Sequence, residues 1–168
     1  MKLFIVGYYG FQNIGDDVML YCILEQIYSE NINISVLNCA PVNVPKSIQG
    51  KVKIIPLSVK AGLREFIKTD IIIIGGGTHL FSYGSFIQSL KINARILLLA
   101  GAARIMGKQF HLLNIGVGGY DNRLCEKIGQ LVCLLANKII VRDTASWEVL
   151  KTWGIRSIYS PDISVLYE

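Results

Sequence analysis

Short apolar, β-branched runs alternate along the chain with longer segments whose apolar residues recur at helical spacing. Leu3-Phe4-Ile5-Val6 predicts a first strand, followed by a loop over 7–13 and a helix over 16–29. Strands are predicted at 32–37 and 52–55, a helix at 61–68, and a strand at 70–74 that runs into Gly75-Gly76-Gly77. A long helix follows over 85–106, where Gly101 marks a bend or a close packing point. A strand at 110–115 leads to a helix over 122–136. There Leu124, Cys125, Ile128, Leu131, Val132 and Leu135 recur at helical spacing behind Asp121 as the cap. A strand at 138–141, a helix at 144–153 stopped by Gly154, and a short strand at 157–159 close the series. Continuously apolar strands alternating with helices imply a parallel sheet covered on both faces. The expected fold is α/β: one doubly wound, Rossmann-like domain over 1–168.

Composition narrows the function classes. With 52% apolar and 17% charged residues the chain can bury a core and is not disordered. Its net charge of +5 comes from scattered basic residues, so no nucleic-acid partner is expected. The four cysteines form no CxxC pair, and Cys22, Cys125 and Cys133 sit in apolar helical stretches that predict buried, reduced thiols. No His, Cys or carboxylate cluster has ligand spacing, so neither a metal nor a cofactor is expected. Gly7-Tyr8-Tyr9-Gly10 interrupts the first apolar run and argues against a signal peptide. Lys91, Asn93, Arg95 and Arg104 argue against a membrane span in the long apolar helix. The expected location is the cytoplasm, with the mild basicity compatible with the inner face of the membrane.

In a doubly wound sheet, ligands sit outside the carboxyl ends of the strands. Four segments leave those ends. In the first, over 7–17, Gly10, Asn13, Gly15 and Asp16 are candidate binding residues. Its glycines allow tight turns, but their spacing is neither GxGxxG nor a P-loop. Asp16 and Asp17 at the helix start would cap free N–H groups and compete with a phosphate, which suits the loop to a hydroxyl-rich ligand. In the second, Gly75, Gly76 and Gly77 admit close approach of a ligand or of a neighbouring loop, and Thr78 and His79 follow. His79 is either a solvated loop histidine or a proton-transfer group. The third segment carries Gly116 to Tyr120, with His111 a structural histidine in the strand before it. In the fourth, Arg142 either pairs with a carboxylate or orients an anionic substrate, beside Asp143 as helix cap and Ser146. Asp162 stands on the same rim.

Taken together, Gly-Tyr-Tyr-Gly-Phe-Gln-Asn-Ile-Gly-Asp at 7–16, the strand into Gly75-Gly76-Gly77, Val141-Arg142-Asp143 with Ser146, Trp153-Gly154 and Pro161-Asp162 resemble the polysaccharide pyruvyl transferase family in order and spacing. The resemblance implies transfer of a pyruvyl group from phosphoenolpyruvate to a sugar, or to a lipid-linked glycan, of a cell-envelope polysaccharide precursor. It implies the N-terminal half of a two-domain enzyme of the GT-B type. By that resemblance Asn13, Gly15, Asp16, Gly75, Gly76, Gly77, Arg142, Asp143 and Ser146 would line the cleft. Of the candidates read from the loops, Asp16, His79 and Arg142 are expected to be catalytic, and Gly10, Asn13, Gly15, Gly75, Gly76, Gly77, Thr78, Gly116, Asp143, Ser146 and Asp162 to bind substrate. The family's basic phosphoenolpyruvate-binding residues have no counterpart here. The chain is therefore expected to lack a C-terminal domain, to be catalytically incomplete alone, and to expose an apolar face that makes it self-associate as a homo-oligomer. Two other readings compete: a non-catalytic fragment that binds a sugar or sugar nucleotide, and a Rossmann-type nucleotide-dependent enzyme. The missing GxGxxG, and Asn38-Cys39 where an acidic residue would end the second strand, lower the last.

Overall fold

Runs such as Ile71-Ile72-Ile73-Ile74 are too apolar to leave one face in water, and they become parallel strands covered by helices. The computed structural model describes residues 1–40 and 44–167. In chain order it places β1 (Lys2–Val6), α1 (Ile14–Ile27), β2 (Asn33–Asn38), β3 (Val52–Pro56), α2 (Val59–Lys68) and β4 (Ile71–Leu80). There follow α3 (Phe86–Ile105), β5 (Gln109–Val117), α4 (Arg123–Leu135), β6 (Lys138–Val141), α5 (Thr144–Thr152) and β7 (Ile158–Tyr159). Short 3-10 turns occur at Lys46–Ile48 and Ile163–Leu166. Every strand pairing with a described register is parallel. The α/β class and the parallel sheet expected from the sequence are therefore present.

The chain divides into two compact units, Met1–Gly77 with Ile163–Glu168, and Thr78–Asp162. In the first unit the strand order is β3-β2-β1-β4. The chain leaves β1 toward β2 on one side and returns to β4 on the other, so the carboxyl end of β1 is a topological switch point. The core of this unit joins Phe4, Ile5, Ile34, Val36, Ile72 and Ile74 of the strands to Leu20, Ile23 and Leu24 of α1, all nearly fully buried. Each such side chain stabilises the fold by about 1.5–3 kcal/mol relative to exposure. The Ile163–Leu166 turn packs on α1, with Tyr167 edge-on to Tyr21 at 5.2 Å.

In the second unit β5, β6 and β7 are neighbours in that order, and Phe110, Leu112, Ile115, Val132, Val141 and Leu150 fill the core. A capping box starts α3, in which the Ser85 hydroxyl accepts from Gln88 N–H and the Gln88 side chain accepts from Ser85 N–H. By length and composition α3 is the one helix among the described residues apolar enough to cross a membrane. In this fold it packs against α4 and β5, through a narrow stripe of Ser89, Asn93, Ile96, Ala100 and Ala103. Asn93 donates to the carbonyls of Phe81 and Ser89.

Several expected boundaries move, each for a local reason. β4 does not stop at Ile74: it runs through the three glycines to Leu80, so Gly75–Gly77 and Thr78-His79 are strand and not loop. β5 likewise continues to Val117 and takes in Gly116. α1 begins at Ile14, which puts Gly15, Asp16 and Asp17 in its first turn. The cap of α4 is Asn122 and not Asp121, because the Asn122 side-chain Oδ1 accepts from Leu124 N–H at 2.8 Å. α3 runs without a break through Gly101, which is not a close packing point, since a Cβ there would meet nothing within 4 Å.

Candidate functional site

In the first unit the loop after β1 is built around Tyr9. Its ring is wholly buried, its hydroxyl donates to the Gly75 carbonyl, and its own carbonyl accepts from Cys39 N–H at 3.2 Å. Gly7 has no Cβ because one would overlap the Tyr9 ring. Burial first, and then the charges of Asp16 and Asp17, push the Tyr9 phenol far above its ordinary value of 10.0. Tyr9 therefore stays neutral and serves as an anchor, not a proton carrier.

The glycine triplet answers the choice between a ligand and a neighbouring element. A Cβ at Gly75 would lie 3.0 Å from the Tyr9 hydroxyl and 3.1 Å from Ile23 Cδ1, and one at Gly76 would lie 2.9 Å from Met19 Cβ. Gly77 N–H points at Met19 Sδ, 3.2 Å away. Gly76 and Gly77 both take the left-handed conformation, at φ +62 and +85, which side-chain-bearing residues rarely adopt. Tyr9 and α1 thus fill the space that Gly75 and Gly76 leave, and Met19 of α1 meets the backbone of Gly77.

Asp16 and Asp17, in the first turn of α1, both bond to the loop before it. Asn13 is the N-cap residue, but its side chain makes no capping bond. Its amide instead donates to Asp16 Oδ2 at 2.5 Å, while Asp17 Oδ1 accepts from Gly10 N–H at 2.9 Å. Asp16 is buried, and Gly15 keeps only ordinary contact with Asn13. Asn13 and Asp16 are thus joined side chain to side chain, while Asp17 braces the backbone of the loop at Gly10.

In the second unit the polar cluster centres on Arg142, which immediately follows β6. One terminal nitrogen donates to Thr78 Oγ1 at 2.6 Å, the other lies 3.4 Å from Asp162 Oδ2, and Nε is 3.7 Å from Asp143 Oδ2. Gly116 leaves room for this arrangement: a Cβ there would lie 3.2 Å from Thr78 Oγ1 and 3.5 Å from Arg142 Nε. Asp143 caps α5 through Ser146 N–H at 2.7 Å. Ser146 is buried, and its hydroxyl accepts from Val117 N–H at 2.8 Å, so it ties α5 to β5. Thr78, Gly116, Arg142, Asp143 and Asp162 converge, whereas Ser146 stands behind them in the core. Ion pairs this accessible contribute only about 0.2–1 kcal/mol, so their effect is mainly to fix the guanidinium.

His79 is half-buried at the end of β4, where the Tyr83 hydroxyl donates to the Thr78 carbonyl at 2.7 Å and lies 3.5 Å from the His79 carbonyl. His111 pairs with Gln109 at 3.1 Å; burial and then Lys138 hold its pKa below 6.5, in keeping with a structural histidine. Among the described residues no three His, Cys, Asp or Glu side chains group to hold a metal ion.

Sequence reasoning missed two residues. Asn114 is buried in β5 at φ +55, where the register with β6 shifts, and its amide donates to the Pro161 carbonyl at 3.0 Å. That bond places Asp162, the next residue, beside Arg142. An amide inside an otherwise apolar strand was the available signal. Tyr9 is the other, and nothing in the sequence distinguishes it from Tyr8.

The family model for polysaccharide pyruvyl transferase matches residues 13–168. No curated protein matches the chain.

Proposed function

The chain belongs to the polysaccharide pyruvyl transferase family, and from that premise we propose that it supplies part of the site that transfers a pyruvyl group from phosphoenolpyruvate to two hydroxyls of one sugar in a cell-envelope polysaccharide precursor. In that reaction two C–O bonds form at C2 of the donor and its bond to the phosphate oxygen breaks. One hydroxyl proton ends on C3 and the other on the departing phosphate. The donor carboxylate is the charged group that persists into the product, so a stationary cation can hold it throughout.

The observation that supports this reading is the Arg142 guanidinium, fixed between Thr78 and Asp162 on a rim cleared by Gly116. An arginine already held in place loses little freedom when it meets a planar carboxylate. Arg142 is the proposed donor-orienting residue, and His79 the proposed proton-transfer group of the same unit. Asp16 is proposed to hold the loop over 7–17 in shape for the acceptor. A cytoplasmic location follows from this reading, because phosphoenolpyruvate is a cytoplasmic metabolite class.

The test is ligand-induced thermal stabilisation. Phosphoenolpyruvate should raise the melting temperature of the wild type, not that of Arg142→Ala, and only weakly that of Arg142→Lys. An equal rise in wild type and Arg142→Ala would overturn the assignment. One observation favours a second reading: the described ionic partners of Arg142 are carboxylates, which offset its attraction for a trianion. A module that binds sugar without turnover would tolerate that balance.

A further inference from the structure

The β1–α1 loop presents a pair of aromatic rings that none of the roles above uses. Tyr8 and Phe11 stack with centroids 4.1 Å apart and planes 7° from parallel. Both are exposed, Tyr8 at 52% and Phe11 at 36%. The backbone is arranged to hold them there. Tyr9 is anchored inward by Gly75 and Cys39, which turns its neighbour Tyr8 outward. Gly10 at φ +74 then reverses the chain against Asn38 and Ala40, where any Cβ would clash, and Asp17 fixes its N–H. Gln12 takes φ +63, a conformation unfavourable for a residue with a side chain, and this turn brings Phe11 back onto Tyr8. Strain of this kind persists only where surrounding structure over-determines it, and it concentrates at ligand clamps.

We propose that Tyr8 and Phe11 form a stacking platform for the pyranose ring of a sugar ligand. A pyranose carries a face of axial C–H bonds whose positive ends complement the negative face of an aromatic ring. Its rim of hydroxyls would meet the exposed Gln12 and Asn13 side chains next to the platform. A nucleobase also stacks on aromatics, but its phosphates would face the first turn of α1, where Asp16 and Asp17 supply negative charge. The charge pattern therefore favours a neutral sugar. The platform lies at the carboxyl end of β1, the switch point of its unit, where ligands of such sheets collect. The proposal rests on the transfer reading for its meaning, since it supplies the acceptor, but not for its geometry.

The experiment is saturation-transfer NMR on the whole chain with methyl β-galactopyranoside, methyl β-glucopyranoside and methyl α-mannopyranoside, and with uridine as a control. At least one pyranoside should take up saturation, strongest at the ring protons of its apolar face. Tyr8→Ala and Phe11→Ala should weaken that binding by about tenfold. Tyr8→Phe and Phe11→Tyr should retain it, and all four variants should keep a cooperative melt, which shows that any lost binding is not unfolding. Saturation of no pyranoside, equal saturation in both alanine variants, or saturation of uridine alone would overturn the platform. Loss of the platform with an intact Arg142-dependent response to phosphoenolpyruvate would leave the transfer reading standing. Sugar binding without that response would do the reverse.

Discussion

Asn114 carries two roles in one side chain. It takes a left-handed backbone conformation that short amides tolerate better than branched residues, and it donates to the carbonyl before Asp162. Asn114→Ala should destabilise the chain by about 1–3 kcal/mol in urea unfolding, from the lost, half-buried hydrogen bond and the strained backbone together. Asn114→Gly removes the strain and not the lost bond, so it should be the milder variant. Both should lower the thermal response to phosphoenolpyruvate if Asp162 positions Arg142. Wild-type stability in both would remove Asn114 from this account. The thiols give a second check at this scale. Cys22, Cys125 and Cys133 are buried, and burial pushes the Cys133 thiol up to about 12, whereas Cys39 is exposed. Ellman's reagent should therefore titrate one thiol in the native chain and four after denaturation. Burial of the three helical cysteines was legible, because helical periodicity shows which face is apolar. The role of Asn114 was not, because a bulge depends on the partner strand's register, which a single strand does not encode.

The elements show what local pattern encodes and where it stops. Helices α2, α4 and α5 could be found from their periodicity, and the cap Asp143 of α5 with them, whereas the caps Ser58 of α2 and Asn122 of α4 emerge only from the structure, where each of the three accepts from a first-turn N–H. The extension of β4 could not, because a glycine triplet reads as a loop until Tyr9, Met19 and Ile23 are seen to fill it. Gly76→Ala should accordingly cost at least about 1–2 kcal/mol in a denaturant melt, from backbone strain and contact with Met19. Helix α2 is tied to two strands by Glu65, which accepts from Ser35 of β2 at 2.7 Å and from Lys53 of β3 at 2.6 Å. Burial alone would raise this carboxyl, but the two hydrogen bonds and the charges of Lys53 and Lys68 outweigh it and hold it below 4.5. A lowered carboxylate pKa contributes stability that is present above the ordinary value and lost as pH falls through the folded one. His111, lowered by burial, acts in the same direction: the unfolded chain takes up its proton first, so stability falls as pH drops below about 6.5. Melting temperature should therefore decline in two acid steps, the upper one absent in His111→Gln and the lower one reduced in Glu65→Gln. A melting temperature flat from pH 7 to 4, about the span of both ordinary values, would contradict both assignments.

At the scale of the whole molecule, the α/β class was legible because strand and helix periods differ, and the family because its motifs keep their order from Asn13 onward. The chemistry was less legible: the glycine triplet and Ser146 serve packing, and Arg142 is found already paired. That pairing carries the last prediction. Phosphoenolpyruvate brings a carboxylate and a phosphate, and stabilising both through transfer needs several fixed donors of positive charge. In the second unit Arg142 lies within ion-pair reach of Asp143 and Asp162, so the cluster is acidic on balance rather than basic. Residues 1–168 alone should accordingly release phosphate from phosphoenolpyruvate no faster than the uncatalysed background with any acceptor sugar. The assay is phosphate release from purified chain, with the pyranosides that bind the Tyr8–Phe11 pair as acceptors. Asp162→Asn, which removes one of the opposing charges, should strengthen phosphoenolpyruvate binding severalfold without restoring turnover, because orientation of the guanidinium through a neutral amide is weaker. Acceptor-dependent release above background in the wild type, abolished by Arg142→Ala, would show that one guanidinium suffices and that the flanking carboxylates assist the transfer instead of opposing donor binding.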